Sequence, residues 1–156
     1  MIDLDALADR VRAAIPLTTH LDFRFTAFDG ERLTLTAPLA PNHNDKGTFF
    51  AGSQAALLTL AGWACTTLMA DSAVGEGVAS VDVVAVESSL QFRAPLHGDI
   101  EIRARADDGE SGRFHQRLKR RGKASLAILA QATDAEGVVV CEYQGLYLAR
   151  TNNNDT

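Results

Sequence analysis

PNHNDKGTFFAGS, residues Pro41–Ser53, is where this chain changes character. Before it, Pro38 and Pro41 stop a strand-like run, because proline has no N–H for a sheet ladder. After it, from about Phe50 to Ala70, the chain is apolar nearly all round, with alanine, glycine and serine at close spacing. A helix that is apolar on every side must be enclosed on most of them, and small residues let a sheet wrap closely against it. The polar loop Asn42–Thr48 therefore reads as the entry to a long buried helix. The competing reading of Ala51–Ala70 is a membrane span. Gln54, Thr59, Thr66 and Thr67, two glycines and flanks without a basic bias argue against it.

Outward from that helix the chain is periodic. Leu4, Leu7, Ala8, Val11 and Ile15 recur at helical steps, which predicts an amphipathic helix over Asp3–Ile15 ended by Pro16. Asp22–Phe28 and Arg32–Ala37 alternate on either side of Asp29-Gly30, a hairpin signal. Asp71–Gly77 reads as a turn-rich break. Four strand-like segments follow, at about Ala79–Arg93, Asp99–Ala106, Arg113–Thr133 (one long strand, or two with a kink at Gly122) and Val138–Ala149. Ile100, Ile102, Ala104 and Ala106 alternate with Glu101, Arg103 and Arg105, as in a sheet with one wet face. Pro95–Asp99, Asp107–Gly112 and Asp134–Gly137 are the expected turns.

The order is helix, two strands, long helix, four strands: an α+β layer arrangement in which an antiparallel sheet covers one helix. No repeat or linker interrupts it, so one domain over 1–156 is expected, with 1–16 as the N-terminal helix and 150–156 as a flexible tail. A sheet curled round one helix leaves its edges and the helix's far side partly bare. Pairing two units solves both, so a homodimer or a dimer of dimers is expected.

Composition bounds the function. Of 156 residues, 46% are hydrophobic and 22% charged, and the net charge is −5. An acidic chain of this kind is not expected to bind nucleic acid. The N-terminus opens on Asp3, Asp5 and Asp9 rather than on a basic and apolar leader. Cys65 and Cys141 each lie in an apolar run, outside any metal-binding spacing. A cytoplasmic protein with no metal and no cofactor is expected, acting away from membranes.

One stretch is specific. Asn44-x-x-Gly47-x-x-Phe50-Ala51-Gly52, opening a helix, resembles the Asn-x-x-Gly-x-x-His-Gly-Gly signature of hot-dog-fold thioesterases. The fuller string of Asn44, Lys46-Gly47-Thr48, Phe50, Gly52-Ser53 and Gly62-Trp63 is similar to a thioesterase family first seen as the C-terminal half of a two-domain acetyltransferase protein. Members of that family are also described as malonyl-acyl-carrier-protein decarboxylases. Phe92-Arg93-Ala94-Pro95 followed by Gly98-Asp99 extends the likeness. It implies a hot-dog fold, an antiparallel sheet wrapped around one long central helix plus a short N-terminal helix. It also implies an acyl thioester of coenzyme A or acyl carrier protein as substrate.

Physical chemistry supports a thioester grip at this stretch. A helix start offers unpaired N–H groups and a positive dipole end. Such groups at a glycine-rich start can approach the oxygen on which acyl transfer builds negative charge. Asn44, Gly52 and Ser53 are the candidate catalytic groups, with Lys46, Gly47, Thr48 and Phe50 beside the substrate. The departures are as informative. Phe50 stands where the signature has His, Thr59 stands where the helix often carries a catalytic acid, and Gly52–Ala70 holds neither acid nor His. Hydrolysis therefore lacks its expected carboxylate, whereas decarboxylation of a malonyl thioester needs no general base, only an oxyanion pocket for the enolate and a carboxylate held out of plane where it can leave. A non-catalytic acyl-thioester binding module is the third reading.

Other residues carry two readings each. Asn44 is also a common turn residue, and Ser53 is also a helix cap. Glu87, Ser88 and Ser89 interrupt an apolar run and are candidates for a second wall of the site, supplied by a partner subunit. Alternation puts Glu87 and Ser89 on one face and Ser88 on the other, and which face meets the helix stays open. Arg113, Arg117, Lys119, Arg120, Arg121 and Lys123 form the only dense basic run. It reads as a solvated strand pair, or as a phosphate grip or carrier-protein landing patch in which Arg120 and Arg121 touch the substrate.

Overall fold

The computed structural model describes residues 2–75 and 80–152. Three helices and six strands appear among them: α1 (Leu4–Ala14), β1 (Arg24–Phe28), β2 (Arg32–Ala37), α2 (Ala51–Val74), β3 (Ser80–Phe92), β4 (Ile100–Ala106), α3 (Glu110–Arg121), β5 (Lys123–Thr133) and β6 (Val139–Asn152). Short 3₁₀ turns lie at Pro16–His20 and Ala40–Asn42. The strands make one antiparallel sheet in the order β1-β2-β4-β5-β6-β3.

The sheet's inner face closes on α2. Leu57, Leu58, Ala61, Ala64 and Cys65 are fully buried against inward residues such as Leu33, Leu35, Ile102, Ala104, Leu126 and Tyr147. The apolar run is thus a core helix, and the alternating strands supply its wrapping, as expected for the hot-dog architecture. α1 is capped by the Asp3 carboxylate, which accepts from Ala6 N at 2.9 Å, and it buries Leu7, Ala8 and Val11. At Gly62 the missing side chain matters: the Tyr147 hydroxyl occupies the space a Cβ would need. Tyr147 Oη donates to the Thr59 carbonyl at 2.8 Å, and the Tyr143 and Tyr147 hydroxyls lie 2.6 Å apart. Trp63 Nε1 donates to Val83 O at 3.0 Å, tying α2 to β3.

Three expectations need correction. Arg113–Thr133 is not strand throughout. Its first part is the amphipathic helix α3, in which Phe114 and Leu118, four residues apart, are the buried anchors. Gly109 and Gly122, both in the left-handed region, bound it. From Arg113 to Arg121 the basic run therefore lies on an exposed helix rather than a strand pair, Lys123 opens β5, and Asp107–Gly112 is in part the helix's first turn. Second, the break expected from Asp71 begins later, because α2 continues to Val74 with Ala73 buried. Gly77 and Ala79, at the ends of predicted segments, lie outside the described residues. Third, Arg150–Asn152 belong to β6 rather than to a tail, and residues 153–156 lie outside the description.

Candidate active site

The stretch Pro41–Ser53 folds as a closed loop leading directly into α2. His43 and Phe49 form an isolated antiparallel bridge, and Asn44 N donates to Thr48 O at 2.8 Å. The Asn44 side chain is spent largely on this loop. Its Oδ1 accepts from Lys46 N at 2.9 Å and from Thr48 N at 3.1 Å, and its Nδ2 donates to Thr48 Oγ1 at 2.8 Å. A carboxamide has two N–H donors, so one remains for a ligand. Lys46 and Gly47 stand exposed at the tip, with Lys46 Nζ 3.2 Å from Asp45.

Asn42 anchors the loop from beneath. It is buried, its Nδ2 donates to Leu21 O and Pro38 O at 2.9 Å each, and its carbonyl accepts from Phe50 N at 2.7 Å. Phe49 N donates to Leu96 O at 2.8 Å, which joins the helix entry to the β3–β4 connection. Position 50 is thereby fixed by the backbone on both sides.

Phe50 is the N-cap of α2 and supplies no side-chain cap. The first intrahelical bond at this end is Gln54 N to Phe50 O at 3.0 Å. The N–H groups of Ala51, Gly52 and Ser53 have no acceptor among the described residues, and the Ser53 hydroxyl makes no hydrogen bond there either. Ser53 therefore does not cap the helix. These are the orphan donors of a helix start, at its positive end. The Phe50 ring, half exposed, lies over Gly52 in the space a Cβ would fill. It forms an apolar wall beside the donors.

Gln54 and Asn42 were not singled out from the sequence. Gln54 is 4% exposed; its Nε2 donates to Phe49 O at 3.2 Å, while its Oε1 and the Asn42 Oδ1 are buried without a partner. The only signal was compositional: Gln54 is a lone amide in an apolar helix, and Asn42 sits beside Pro41. Thr59 is occupied locally, its Oγ1 donating to Ala55 O at 2.8 Å. Burial, then the bond to Tyr143, pushes the Tyr147 phenol far above its ordinary value, so Tyr147 is a fixed donor to the Thr59 carbonyl.

The remaining candidates are spread out. β3 pairs with β6 with a bulge between Ala85 and Glu87. Beyond it, Ser88 lies opposite Gly145 on the helix side of the sheet, while Glu87 and Ser89 lie on the outer side. Arg120 and Arg121 border a concavity with Val74, at the C-terminal end of α2. With 24 residues, α2 is roughly 36 Å long at 1.5 Å per residue. One protomer therefore does not bring these arginines to the loop of Asn44, Lys46, Gly47 and Thr48. Among the described residues no three His, Cys, Asp or Glu side chains group closely enough for a metal ion.

A family model described as "Putative thioesterase (yiiD_Cterm)" matches residues 4–151. Among solved structures, a "putative thioesterase" from Shewanella oneidensis is similar at 27% identity and a TM-score of 0.81, over 94% of this chain and 96% of that one. A "probable thioesterase" from Pseudomonas aeruginosa is 29% identical with a TM-score of 0.78, over 97% and 99% of the two chains. A Chlorobaculum tepidum protein of unknown function is 25% identical with a TM-score of 0.79, over 96% and 97%.

Proposed function

We propose, since the chain belongs to the putative thioesterase family of the yiiD C-terminal type, that it hydrolyses acyl thioesters of coenzyme A or acyl carrier protein. The observation that carries this reading is the uncapped start of α2, with the N–H groups of Ala51, Gly52 and Ser53 unfilled beside a loop locked by Asn44. A thioester carbonyl set against these donors is polarised. Water attacks its carbon, the oxygen takes the negative charge, and collapse expels the thiolate, which takes up a proton. The donors are pre-aimed, so they stabilise the oxyanion without reorganising.

A second reading is favoured by one observation. From Gly52 to Ala70 the helix carries no acid or His, and both Thr59 oxygens are engaged, the hydroxyl with Ala55 O and the carbonyl with Tyr147. Malonyl-thioester decarboxylation suits such a site. The carbon–carbon bond pair passes into the carbonyl to give an enolate held by the same donors, carbon dioxide leaves, and the carbon takes a proton from water.

The working unit in this proposal is a cytoplasmic homodimer. β3 is an edge strand of 13 residues with Val84 and Val86 more than half exposed, and a partner's edge would cover it. The partner's copy would supply the second wall, and Arg120 and Arg121 would receive the phosphates or acidic surface of the carrier.

Incubation with a panel of acyl-coenzyme A and acyl-carrier thioesters, malonyl forms included, tests the proposal. Free thiol marks the hydrolase, acetyl thioester with carbon dioxide marks the decarboxylase, and binding without product marks a binding module. Asn44→Ala is expected to lower turnover on the order of a hundredfold or more with the fold intact. Full activity in that variant sinks the assignment of this loop.

A further inference from the structure

The outer face of the sheet, away from α2, carries a groove of about 630 Å³ that the thioester site does not use. Its floor follows from the strand register. One cross-strand row runs Arg32, Arg105, Leu129, Gln144 and Ser89; the next runs Arg103, Gln131, Glu142 and Gln91. The cations collect at the β2–β4 end and the uncharged amides fill the middle.

Arg32 and Arg105 are directly opposite each other in the β2–β4 ladder, and Arg103 follows two residues away on the same face. Like charges directly opposite destabilise a sheet. Nearby carboxylates offset them only in part. Among the described residues Arg32 makes no ion pair, and Arg105 donates to the Ala106 carbonyl and pairs with Asp108, whose side chain is 94% exposed. Arg103 pairs with Glu101 at 2.7 Å. The one acid lining the groove, Glu142, is taken by Arg93 at 2.7 Å. Three guanidinium groups thus share one end of a concavity on an acidic protein.

We propose that this groove is a binding site for a nucleotide-type ligand, with its phosphates on Arg32, Arg103 and Arg105 and its uncharged polar body on Gln131 and Gln144. Guanidinium groups match phosphate oxygens in a two-pronged geometry. The amides offer both donors and acceptors to a base or sugar. The volume falls in the range of small-molecule sites. A bound dianion removes the Arg32–Arg105 repulsion, so binding also stabilises the β2–β4 pair.

Two sources share this chemistry: a free nucleotide and the nucleotide end of coenzyme A. Calorimetric titration of the full chain at low salt with ADP, coenzyme A and pyrophosphate separates them. ADP is expected to bind, and Arg32→Gln and Arg105→Gln are each expected to weaken it about tenfold or more, with circular dichroism unchanged. Displacement of ADP by coenzyme A identifies the carrier's nucleotide as a ligand of the groove. No displacement identifies the free nucleotide. Absence of ADP binding, or an affinity in both variants equal to that of the unsubstituted protein, overturns the proposal. Pyrophosphate binding as tightly as ADP overturns the role given to the amides. The titration involves no turnover, so a failure of the hydrolase reading leaves it intact.

Discussion

Tyr147 couples strand to helix through one hydroxyl. It donates to Thr59 O, meets Tyr143 Oη, and fills the space above Gly62. Tyr147→Phe takes the buried Tyr143 hydroxyl's partner and the second bond of the Thr59 carbonyl, and is expected to cost about 1–3 kcal/mol. Gly62→Ala forces the ring away and is expected to cost a similar amount, about 1–3 kcal/mol, from overpacking. Urea denaturation midpoints of the two variants check both figures. Cys65 gives a pH prediction. Burial pushes its thiol from an ordinary 9.0 up to about 12. The folded state then holds a proton that the unfolded state releases, so the thiol's contribution to stability is present below pH 9.0 and declines as pH rises toward about 12. At pH 8 neither Cys65 nor the equally buried Cys141 is expected to react with a disulfide reagent until denaturant is added. Two equivalents released from native protein would contradict this.

Among the elements, α3 was the hardest to read and is the easiest to test. Only Phe114 and Leu118 anchor it, so Leu118→Ala is expected to cost about 2–4 kcal/mol and to loosen the helix, read as hydrogen exchange in residues 110–121. Two apolar positions in an otherwise polar segment make a short helical period, and the strands on either side dominated the pattern. The Asp29-Gly30 hairpin and the alternation through Ile100–Ala106 were legible because each apolar position there faces a single core. The run entering α2 was legible because no strand pairing could satisfy an apolar segment of that length. The site was legible only as a stretch. That Asn44 is committed to its own loop, that Ser53 is uncapping, and that Asn42 and Gln54 are buried beneath depends on distances between backbone segments, which no spacing in the sequence encodes.

For the whole molecule, the decisive surface is the β3 edge. In the proposed dimer, Val84→Lys and Val86→Lys together place two charges on that edge and are expected to shift the particle toward half its mass in analytical ultracentrifugation, with loss of thioester turnover. A monomer with full activity would remove the need for a second wall. The same strand carries its bulge at Val86, between Ala85 opposite Tyr147 and Glu87 opposite Leu146. The strand thus has one residue more than its ladder has rungs. That surplus acts as a frame correction: strict alternation from Val81, Val83 and Ala85 would have pointed Glu87 and Ser89 at the helix, and the extra residue hands that position to Ser88. A chain shortened by Val86 alone keeps every later side chain on its present face, so at this point of the fold a one-residue deletion is the conservative change.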